Sequence, residues 1–325
     1  MRRAAPPLAA TYHPIAPPRA PVARRGLLKR RRHRELALIW ALLIPALAIF
    51  IMFRVVPLVW NVVLSFQFWS PTKPAEFAGL YHYEEMFIYD DVFWQALFNT
   101  FKYMATAPIA IVIALALALL VDSRIRGRTV YRAIIFASYP LMVVAVGIIW
   151  RWLYDEKVGL INYVLRSLGI LDQGVAFLES FDTALPAVIA AAVWQIVGFF
   201  MIILLTGLQH IPPSLYEAAA IDGAGRGSQF WRITLPLLRP SIFLCFIIGI
   251  IASFTSFDLI YVMTGGGPGH ATELLITYVY KAAFKLTQFD YAGALTVVMF
   301  SLFVFLALIA NLLAGGDAGK VDIAD

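Results

Sequence analysis

The sequence predicts an all-α membrane protein with six transmembrane helices. Of its 325 residues 61% are hydrophobic and 14% are charged, and its long apolar runs carry almost no charge. Lipid offers no partner to open backbone groups, and these runs lack the alternation of barrel strands. A helix needs about 20 residues to cross a hydrocarbon core about 30 Å thick. Six stretches satisfy this requirement, near 36–56, 97–121, 133–152, 184–207, 241–263 and 291–314.

The distribution of charged residues predicts how these helices are oriented. Taken together, the tail 1–35, the loop 122–132, the polar insert (residues 208–240) and the tail 315–325 carry an excess of Lys and Arg. The remaining loops carry an excess of Asp and Glu. Basic residues resist translocation across a membrane. Both termini and the polar insert are therefore predicted to face the cytoplasm, and residues 36–314 to form one transmembrane domain.

The first tail has two parts. Residues 1–23 are rich in proline and poor in apolar side chains, which is typical of disorder, and residues 24–35 form the basic run RRGLLKRRRHRE. Such a run can bind nucleic acid. Beside a transmembrane helix, however, a topology signal that lies on anionic headgroups is the better interpretation. We expect the whole tail 1–35 to be disordered.

Residue types that build metal and catalytic sites are sparse. Cys245 is the one cysteine, and no two of the five histidines have the i, i+4 spacing that places two ligands on one helix face. An intrachain disulfide is excluded, and we expect no metal site. Within the spans there is no Ser/His/Asp or paired-carboxylate cluster. The sequence therefore argues against an integral membrane enzyme.

The first half of the polar insert predicts a short helix. Residues 214–217, SLYE, have the spelling of a capping box, so a helix is expected to begin after Pro213 with Ser214 as its cap. Three alanines at 218–220 favour helix, and Gly223 supplies a left-handed stop.

The second half of the insert predicts another short helix. It is expected to run from Ser228 to about Leu235 and to end at Pro236. The side chains expected to anchor it against the membrane helices are Phe230, Trp231 and Ile233. Isolated helices shorter than about 12–15 residues are marginal in water, so both must be stabilised by docking. The insert is therefore predicted to be a knob for a cytoplasmic partner.

Residues of the insert also match a known motif. Glu217-Ala218-Ala219, then Gly223, then the run ITLP at 233–236 have the spacing of the EAA motif, so the chain resembles membrane subunits of binding-protein-dependent ABC importers. In that family this loop forms the coupling helix, which sits in a cleft of the ATP-hydrolysing subunit. The resemblance assigns ATPase coupling to Glu217, Ala218, Ala219, Ala220, Asp222, Gly223, Ile233, Leu235 and Pro236. Helix capping by Glu217 and a plain turn at Asp222 are the alternatives.

Three further segments resemble carbohydrate-type permeases. They are the run FDLIYVMTGGGP at 257–268, Asn99-Thr100 at the second span, and the run GLIN at 159–162 outside the third. Over residues 36–314 the chain resembles the first permease subunit of maltose, glycerol-3-phosphate and related sugar systems. The extra N-terminal spans and the large external domain of the maltose subunit have no counterpart here, so contacts of those parts do not transfer.

The resemblance implies the other parts of an importer. It implies the type I ABC importer permease fold, a bacterial cytoplasmic membrane location, and a carbohydrate or glycerol-phosphate-like cargo. The implied partners are a second homologous permease, two ATP-binding cassette subunits and an extracytoplasmic solute-binding protein. ATP and Mg would bind to the partner subunits, and no cofactor is expected on this chain. An amino acid, peptide or polyamine is the alternative cargo, and a channel without ATP coupling would leave the insert unexplained.

Two glycine-rich segments, 223–227 and 264–269, lack the Gly-Lys-Ser/Thr ending of a phosphate-binding loop. The chain is therefore not expected to hydrolyse ATP. The second segment is expected to lead into residues 273–286, which are too few to span the bilayer and are predicted to lie in its interface. The side chains expected at headgroup level are Tyr278, Tyr280 and Phe284.

A sugar presents C–H faces and hydroxyl edges, so its site combines aromatic rings with hydrogen-bonding groups. The candidates for a substrate pathway are Trp194, Gln195, Phe254, Ser256, Asp258 and Tyr261. Asp258 is the strongest, because an ionisable group in a membrane is costly unless it lines a cavity or has a partner. Snorkelling explains Asp258 as well, and helix packing explains the others.

Overall fold

The computed structural model describes residues 25–122 and 127–313, which are mostly helical. The chain divides into two compact units, of which the first ends at Val59 and the second begins at Trp60. The predicted tail 315–325 lies outside the described residues.

The described part of the first unit is a helix that begins with a basic run and continues as an apolar one. Helix α1 (Arg25–Phe50) continues through a π-helical turn (Ile51–Val55) into α2 (Val56–Leu64). The large apolar side chains from Leu38 to Phe53 are exposed, as lipid-facing side chains are. The helix begins ten residues before the predicted end of the disordered tail. The prediction of disorder was wrong for residues 25–35. The prolines of the tail end at Pro21, and the Leu, Lys and Arg residues that follow favour helix.

The second unit begins with an antiparallel hairpin and continues as helices. The hairpin strands are β1 (Gln67–Ser70) and β2 (Lys73–Phe77). The helices that follow are α3 (Tyr81–Glu84), α4 (Asp91–Tyr103), α5 (Thr106–Asp122), α6 (Arg128–Phe136), α7 (Val143–Leu153), α8 (Leu160–Ser167), α9 (Ala184–Gln209), α10 (Pro213–Ile221), α11 (Arg226–Gln229), α12 (Leu235–Leu237), α13 (Arg239–Thr255), α14 (Asp258–Met263), α15 (Leu275–Tyr280) and α16 (Phe289–Leu313). Further π-helical turns occupy Glu85–Tyr89, Phe230–Thr234 and Lys281–Lys285.

Within the described residues, four helices are long and apolar enough to cross a membrane. They are Leu38–Leu64, Asp91–Asp122, Ala184–Gln209 and Phe289–Ala310. Arg226–Leu237 and Arg239–Thr255 form a pair bent by 61°, which makes a fifth candidate. These five contain or overlap the predicted first, second, fourth, fifth and sixth spans.

The predicted third span, 133–152, is not one continuous helix. It divides into α6 and α7, with irregular backbone at 137–142 around Pro140. The break is stabilised from α9, because the Gln195 amide donates to the Leu141 carbonyl at 3.3 Å. Ser138 donates to the Gln195 carbonyl at 3.4 Å. Irregular backbone is tolerated at membrane depth where protein satisfies its polar groups.

The predicted fifth span, 241–263, is also interrupted. Helix α13 ends at Thr255, Ser256 has φ −75° and ψ 74°, and α14 begins at Asp258. The run 242–263 is apolar except for a few polar residues at 253–258, and it contains no proline or glycine there. The break therefore had no local signal in the sequence.

Helix α9 lies at the centre of the second unit. It packs along α5 through small side chains such as Ala110, Ala114 and Ala191, which let helix backbones approach closely. A separate core joins the start of α4 to α15 and α16, with Phe93, Leu275 and Leu295 fully buried.

The segment 273–286 belongs to this second core. Leu275, Thr277 and Ala282 are buried, so the segment packs among helices of the protein. Its place in the membrane interface stays a prediction, because length excludes a span but does not locate the segment relative to the bilayer. Phe284 alone of the three predicted headgroup aromatics is largely exposed.

Candidate functional site

The polar insert begins with helix α10, and its start differs from the prediction. Pro212 is the residue before the helix, Pro213 occupies the first turn, and no side chain caps the N-terminus. The predicted capping box at Ser214 is therefore absent. Pro213 has a fixed φ and no N–H to satisfy, so it takes the first helical position itself.

The bend and the second arm follow. Gly223 has φ +79° and nothing within 4 Å of an added Cβ, so it is the predicted left-handed stop. The second arm starts at Arg226, two residues earlier than expected, and continues to Leu237. Pro236 does not end it. A π-helical turn at Phe230–Thr234 precedes this proline, and such irregular turns accommodate a missing backbone donor.

Hydrogen bonds of three polar side chains, Tyr216, Gln229 and Thr234, join the two arms of the insert. These contacts were not predicted from the sequence. The Tyr216 and Thr234 hydroxyls lie 3.0 Å apart and share a hydrogen bond. The Gln229 amide donates to the Ala224 carbonyl at 3.1 Å and to the Tyr216 carbonyl at 3.4 Å. The knob therefore has a defined shape of its own. Polar residues 13 and 18 positions apart give no local pattern that would reveal this contact.

The predicted coupling residues fall into two groups. Glu217, Ala218, Ala220, Asp222 and Gly223 are exposed, whereas Ala219, Ile233, Leu235 and Pro236 are partly buried.

Next to these exposed residues, the Ile221 side chain is 88% exposed, so the apex of the insert is apolar. Ile233 packs on the core around α9, as expected for an anchor. Trp231 was expected to be a second anchor but is 67% exposed, because it lies on the outer side of the π-helical turn.

An open cavity of about 340 Å³ lies between α4, α5, α9 and the break between α13 and α14. Gln195, Ser256 and Asp258, three of the six pathway candidates, line it together. Tyr103 and Tyr139 line it too, and the Tyr103 hydroxyl lies 2.7 Å from the Ser256 hydroxyl. Neither tyrosine was predicted from the sequence, although a hydroxyl-bearing ring inside an apolar span was the available signal.

The other three candidates lie away from the described lining of this cavity. Trp194 borders a separate groove near Ser138 and contacts Trp150 edge-on at 5.8 Å. Phe254 packs against Phe303, and Tyr261 stacks on Phe257 at 5.1 Å. Their positions fit the helix-packing interpretation.

One of the segments that carried the carbohydrate-permease resemblance, Asn99-Thr100, contacts the residues that follow another, the run at 257–268. The Asn99 amide donates to the carbonyls of His270 and Glu273 at 3.0 and 3.1 Å. Beside it, the Thr100 hydroxyl accepts from the Leu275 N–H at 3.0 Å. The start of the second predicted span thereby contacts the residues that follow the glycine-rich segment 264–269.

Glu273 is the charged centre of this junction. Its side chain is fully buried, pairs with Lys281 and lies 3.2 Å from His270 Nδ1. Gly266 has φ +88°, and a Cβ there would come within 2.5 Å of the Glu273 carboxylate.

A second carboxylate, that of Asp90, links the start of α4 to α15 and α16. Asp90 caps α4 by accepting from the Phe93 N–H at 3.0 Å, and it also accepts from the hydroxyls of Tyr278 and Tyr291. Burial, together with the bond to Asp90, raises the pKa of Tyr278 far above its usual value.

No group of three or more His, Cys, Asp or Glu within residues 25–122 and 127–313 is arranged to hold a metal ion.

Membrane-length helices, interrupted helices around a cavity and an exposed braced knob define a membrane transport subunit. Residues 108–315 match the family described as binding-protein-dependent transport system inner membrane component. The chain belongs to this family, as the EAA motif predicted.

Two curated relatives and one solved transporter illustrate the similarity. The chain is 37% identical to the sulfoquinovosyl glycerol transport system permease protein of Agrobacterium fabrum, over 80% of this chain and 85% of the relative. It is 35% identical to the diacetylchitobiose uptake system permease protein of Streptomyces coelicolor, over 92% and 90%. The bacterial alginate ABC transporter, solved in complex with an alginate pentasaccharide-bound periplasmic protein, matches with a TM-score of 0.76 at 24% identity, over 88% of this chain and 96% of that chain. This likeness confirms the predicted permease fold.

Proposed function

We propose that this chain is the membrane-spanning permease subunit of an ATP-driven importer that takes up a carbohydrate delivered by a solute-binding protein. Family membership supports the importer, and the names of the relatives support the carbohydrate. The cavity fits this cargo, because Tyr103 and Tyr139 supply rings and Gln195 and Ser256 supply hydrogen-bonding groups. An amino acid, peptide or polyamine is the less supported cargo.

The observation that carries the proposal is the exposed apex of the polar insert. Ile221 is almost fully solvated, while the arms beneath it are held by Tyr216, Gln229 and Thr234. A rigid knob with an apolar tip transmits force only when a partner encloses it. We assign that role to an ATPase subunit, which binds ATP with Mg. When two such subunits close on ATP, the knob moves with them and the helices switch between outward and inward arrangements.

In this assembly the chain is not itself catalytic, and its cavity faces a second homologous permease. We propose six spans with both termini in the cytoplasm of a bacterial inner membrane. The third span would consist of α6 and α7 together. The excess of basic residues on the cytoplasmic side of this arrangement supports it.

Site-directed cross-linking tests the assignment of the insert. In the assembled importer, a cysteine replacing Ala218 should cross-link to the ATPase subunit, whereas Gln173→Cys, exposed in the loop after α8, should not. The native Cys245 is buried and gives little background. Labelling of Ala218→Cys by an impermeant maleimide from outside intact cells would contradict the proposed orientation.

Coupling itself is tested by Glu217→Lys and Gly223→Pro. Both variants should insert and assemble, but substrate-stimulated ATP hydrolysis by the reconstituted complex should fall to about the basal rate. Normal stimulation in both would refute the coupling role. Uptake of disaccharides and of amino acids into the same proteoliposomes then decides between the two cargo classes.

A further inference from the structure

The second arm of the polar insert leaves the adjoining membrane helix at a steep angle. Arg226–Leu237 and α13 are bent by 61° relative to each other. A helix that crosses a membrane is tilted on average about 20° from the bilayer normal. With α13 close to that normal, the arm lies nearer to the plane of the membrane than to its normal. It begins where the predicted fifth span ends, so it is placed at the level of the lipid headgroups.

Trp231 lies on the side of this arm that the chain leaves uncovered, and its side chain is 67% exposed. Gln229, two residues earlier, donates to the Tyr216 carbonyl of α10, and Ile233, two residues later, packs on the core around α9. Two residues turn a helix by about half a turn, so Trp231 points away from both of these contacts. Arg232 beside it is exposed as well.

The two arms of the insert differ in charge. Residues 213–222 of the first arm contain two acidic residues and no basic one, whereas residues 226–240 contain three arginines and no acidic residue. These arginines are Arg226, Arg232 and Arg239, and all three are exposed. Within the described parts of the chain none of them forms an ion pair. Tryptophan and arginine together are typical of a helix surface that faces lipid headgroups.

We propose that the second arm docks on the cytoplasmic surface of the bilayer, with the Trp231 ring among the headgroups and Arg232 and Arg239 on the phosphates of anionic phospholipids. A guanidinium group suits this role, because its donors match the oxygens of a phosphate. The surface continues into α13, where the Leu244 and Ile251 side chains are exposed as lipid-facing side chains are. The inference rests on the proposed orientation and coupling role of the insert.

This contact has a consequence for coupling. The chain holds the arm on one side, through Gln229, Ile233 and Thr234, and the membrane holds it on the other. The arm then stays in place while an ATPase subunit moves the first arm. Loss of the lipid contact should therefore lower coupling, but it should not prevent assembly with the ATPase subunit.

Spin-label relaxation measures where the arm lies. The complete importer is placed in nanodiscs of phosphatidylcholine with about 30% phosphatidylglycerol and a trace of a nickel-chelating lipid, whose metal relaxes only labels near the headgroups. Gly227→Cys carries the label, because residue 227 is one turn before Trp231 and a Cβ added there meets nothing within 4 Å. Ala218→Cys on α10 is the control position. The native Cys245 is buried.

The nickel lipid should relax the label at residue 227 at least about threefold more than the label at residue 218. Combining Trp231→Ser with Arg232→Gln should reduce the effect at residue 227 at least about twofold, as should salt near 0.5 M. Arg166→Gln, at an exposed arginine of α8, should change nothing. The double variant should keep its ATPase subunits but lose about half or more of the ATP hydrolysis that the sugar-loaded solute-binding protein stimulates.

Equal relaxation of the two labels would overturn the inference, and so would relaxation at residue 227 that the double variant does not change. Loss of the ATPase subunits from the double variant would assign this surface to that subunit instead of the membrane. Each of these results leaves the proposed function standing as long as the wild type shows stimulated ATP hydrolysis. Absence of that stimulation in the wild type would count against the importer function, whereas the relaxation at residue 227 would still decide whether the arm contacts lipid.

Discussion

Two glycine-rich loops of this chain look alike in sequence and behave oppositely in structure. Gly223 stands in open space at the tip of a knob whose neighbour Ile221 is exposed. Gly266 is enclosed by Glu273 and Lys281, and Asn99 holds the residues that follow it. Both glycines have positive φ. The enclosed loop makes contacts within this chain, whereas nothing lies within 4 Å of a Cβ added at Gly223 in the open loop, and we propose that another chain docks there.

This comparison predicts that substitutions in the enclosed loop mainly lower stability, whereas those in the open loop mainly lower coupling and cost less stability. Free energies of unfolding in detergent measure the first effect. Substrate-stimulated ATP hydrolysis by the reconstituted importer measures the second.

The largest loss of stability is expected for Glu273→Ala. The change removes a fully buried carboxylate and leaves Lys281 without its partner, which costs about 3 kcal/mol for an ion pair broken on one side. The exposed Glu179 provides the control, and Glu179→Ala should change the free energy of unfolding by less than about 0.5 kcal/mol. Equal effects of the two substitutions would show that the junction around Glu273 does not stabilise the fold.

A matched glycine pair comes next. Gly266→Ala introduces a Cβ into a left-handed position and within 2.5 Å of the Glu273 carboxylate, so we expect a loss of about 2–3 kcal/mol. Gly223→Ala introduces the same backbone strain in open space, at a cost of about 1 kcal/mol. The difference between the two variants isolates the effect of enclosure. If Gly223→Ala were the more damaging, the two loops would have been assigned the wrong roles.

Smaller still is the expected effect of Gln229→Ala. It removes two hydrogen bonds that Gln229 makes to Tyr216 and Ala224, worth about 1–2 kcal/mol, and the loss is local because Gln229 itself lies outside the main core. Hydrogen exchange of the α10 amides should become faster, and ATPase stimulation should fall. Gln173→Ala, at an exposed glutamine, is the control. Unchanged exchange in α10 would mean that Tyr216 and Thr234 alone brace the knob.

A structural feature could be predicted from the sequence only where neighbouring residues in the chain determine it. Gly223 was correctly predicted as a left-handed stop, because a glycine after an alanine-rich helix is a local signal. The cap at Ser214 was wrong because Pro213 competes for the same turn. The contact of Asn99 with His270 joins residues 171 positions apart, and no local pattern encodes it.

The candidate site shows the same limit. Residue chemistry selected Gln195, Ser256 and Asp258, which the structure brings to one cavity. Chemistry alone also selected Trp194 and Tyr261, which point into other contacts. The direction of a side chain around a helix depends on the neighbouring helices, and those are set by tertiary packing.

The smallest effect on stability, and the sharpest test of the open loop, is expected from Ile221→Ser. The side chain is 88% exposed, so the free energy of unfolding of the isolated chain should change by no more than about 0.5 kcal/mol. If the apex is enclosed by an ATPase subunit, however, the substitution removes a buried apolar contact from that interface and should weaken assembly about tenfold or more. Co-purification of the ATPase subunit with the variant measures this. Ile170→Ser, which is 63% exposed in the loop after α8, is the matched control and should leave assembly intact. Normal assembly of the Ile221 variant would mean that no partner encloses the apex, and the contrast between the two glycine loops would then have to be explained within this chain.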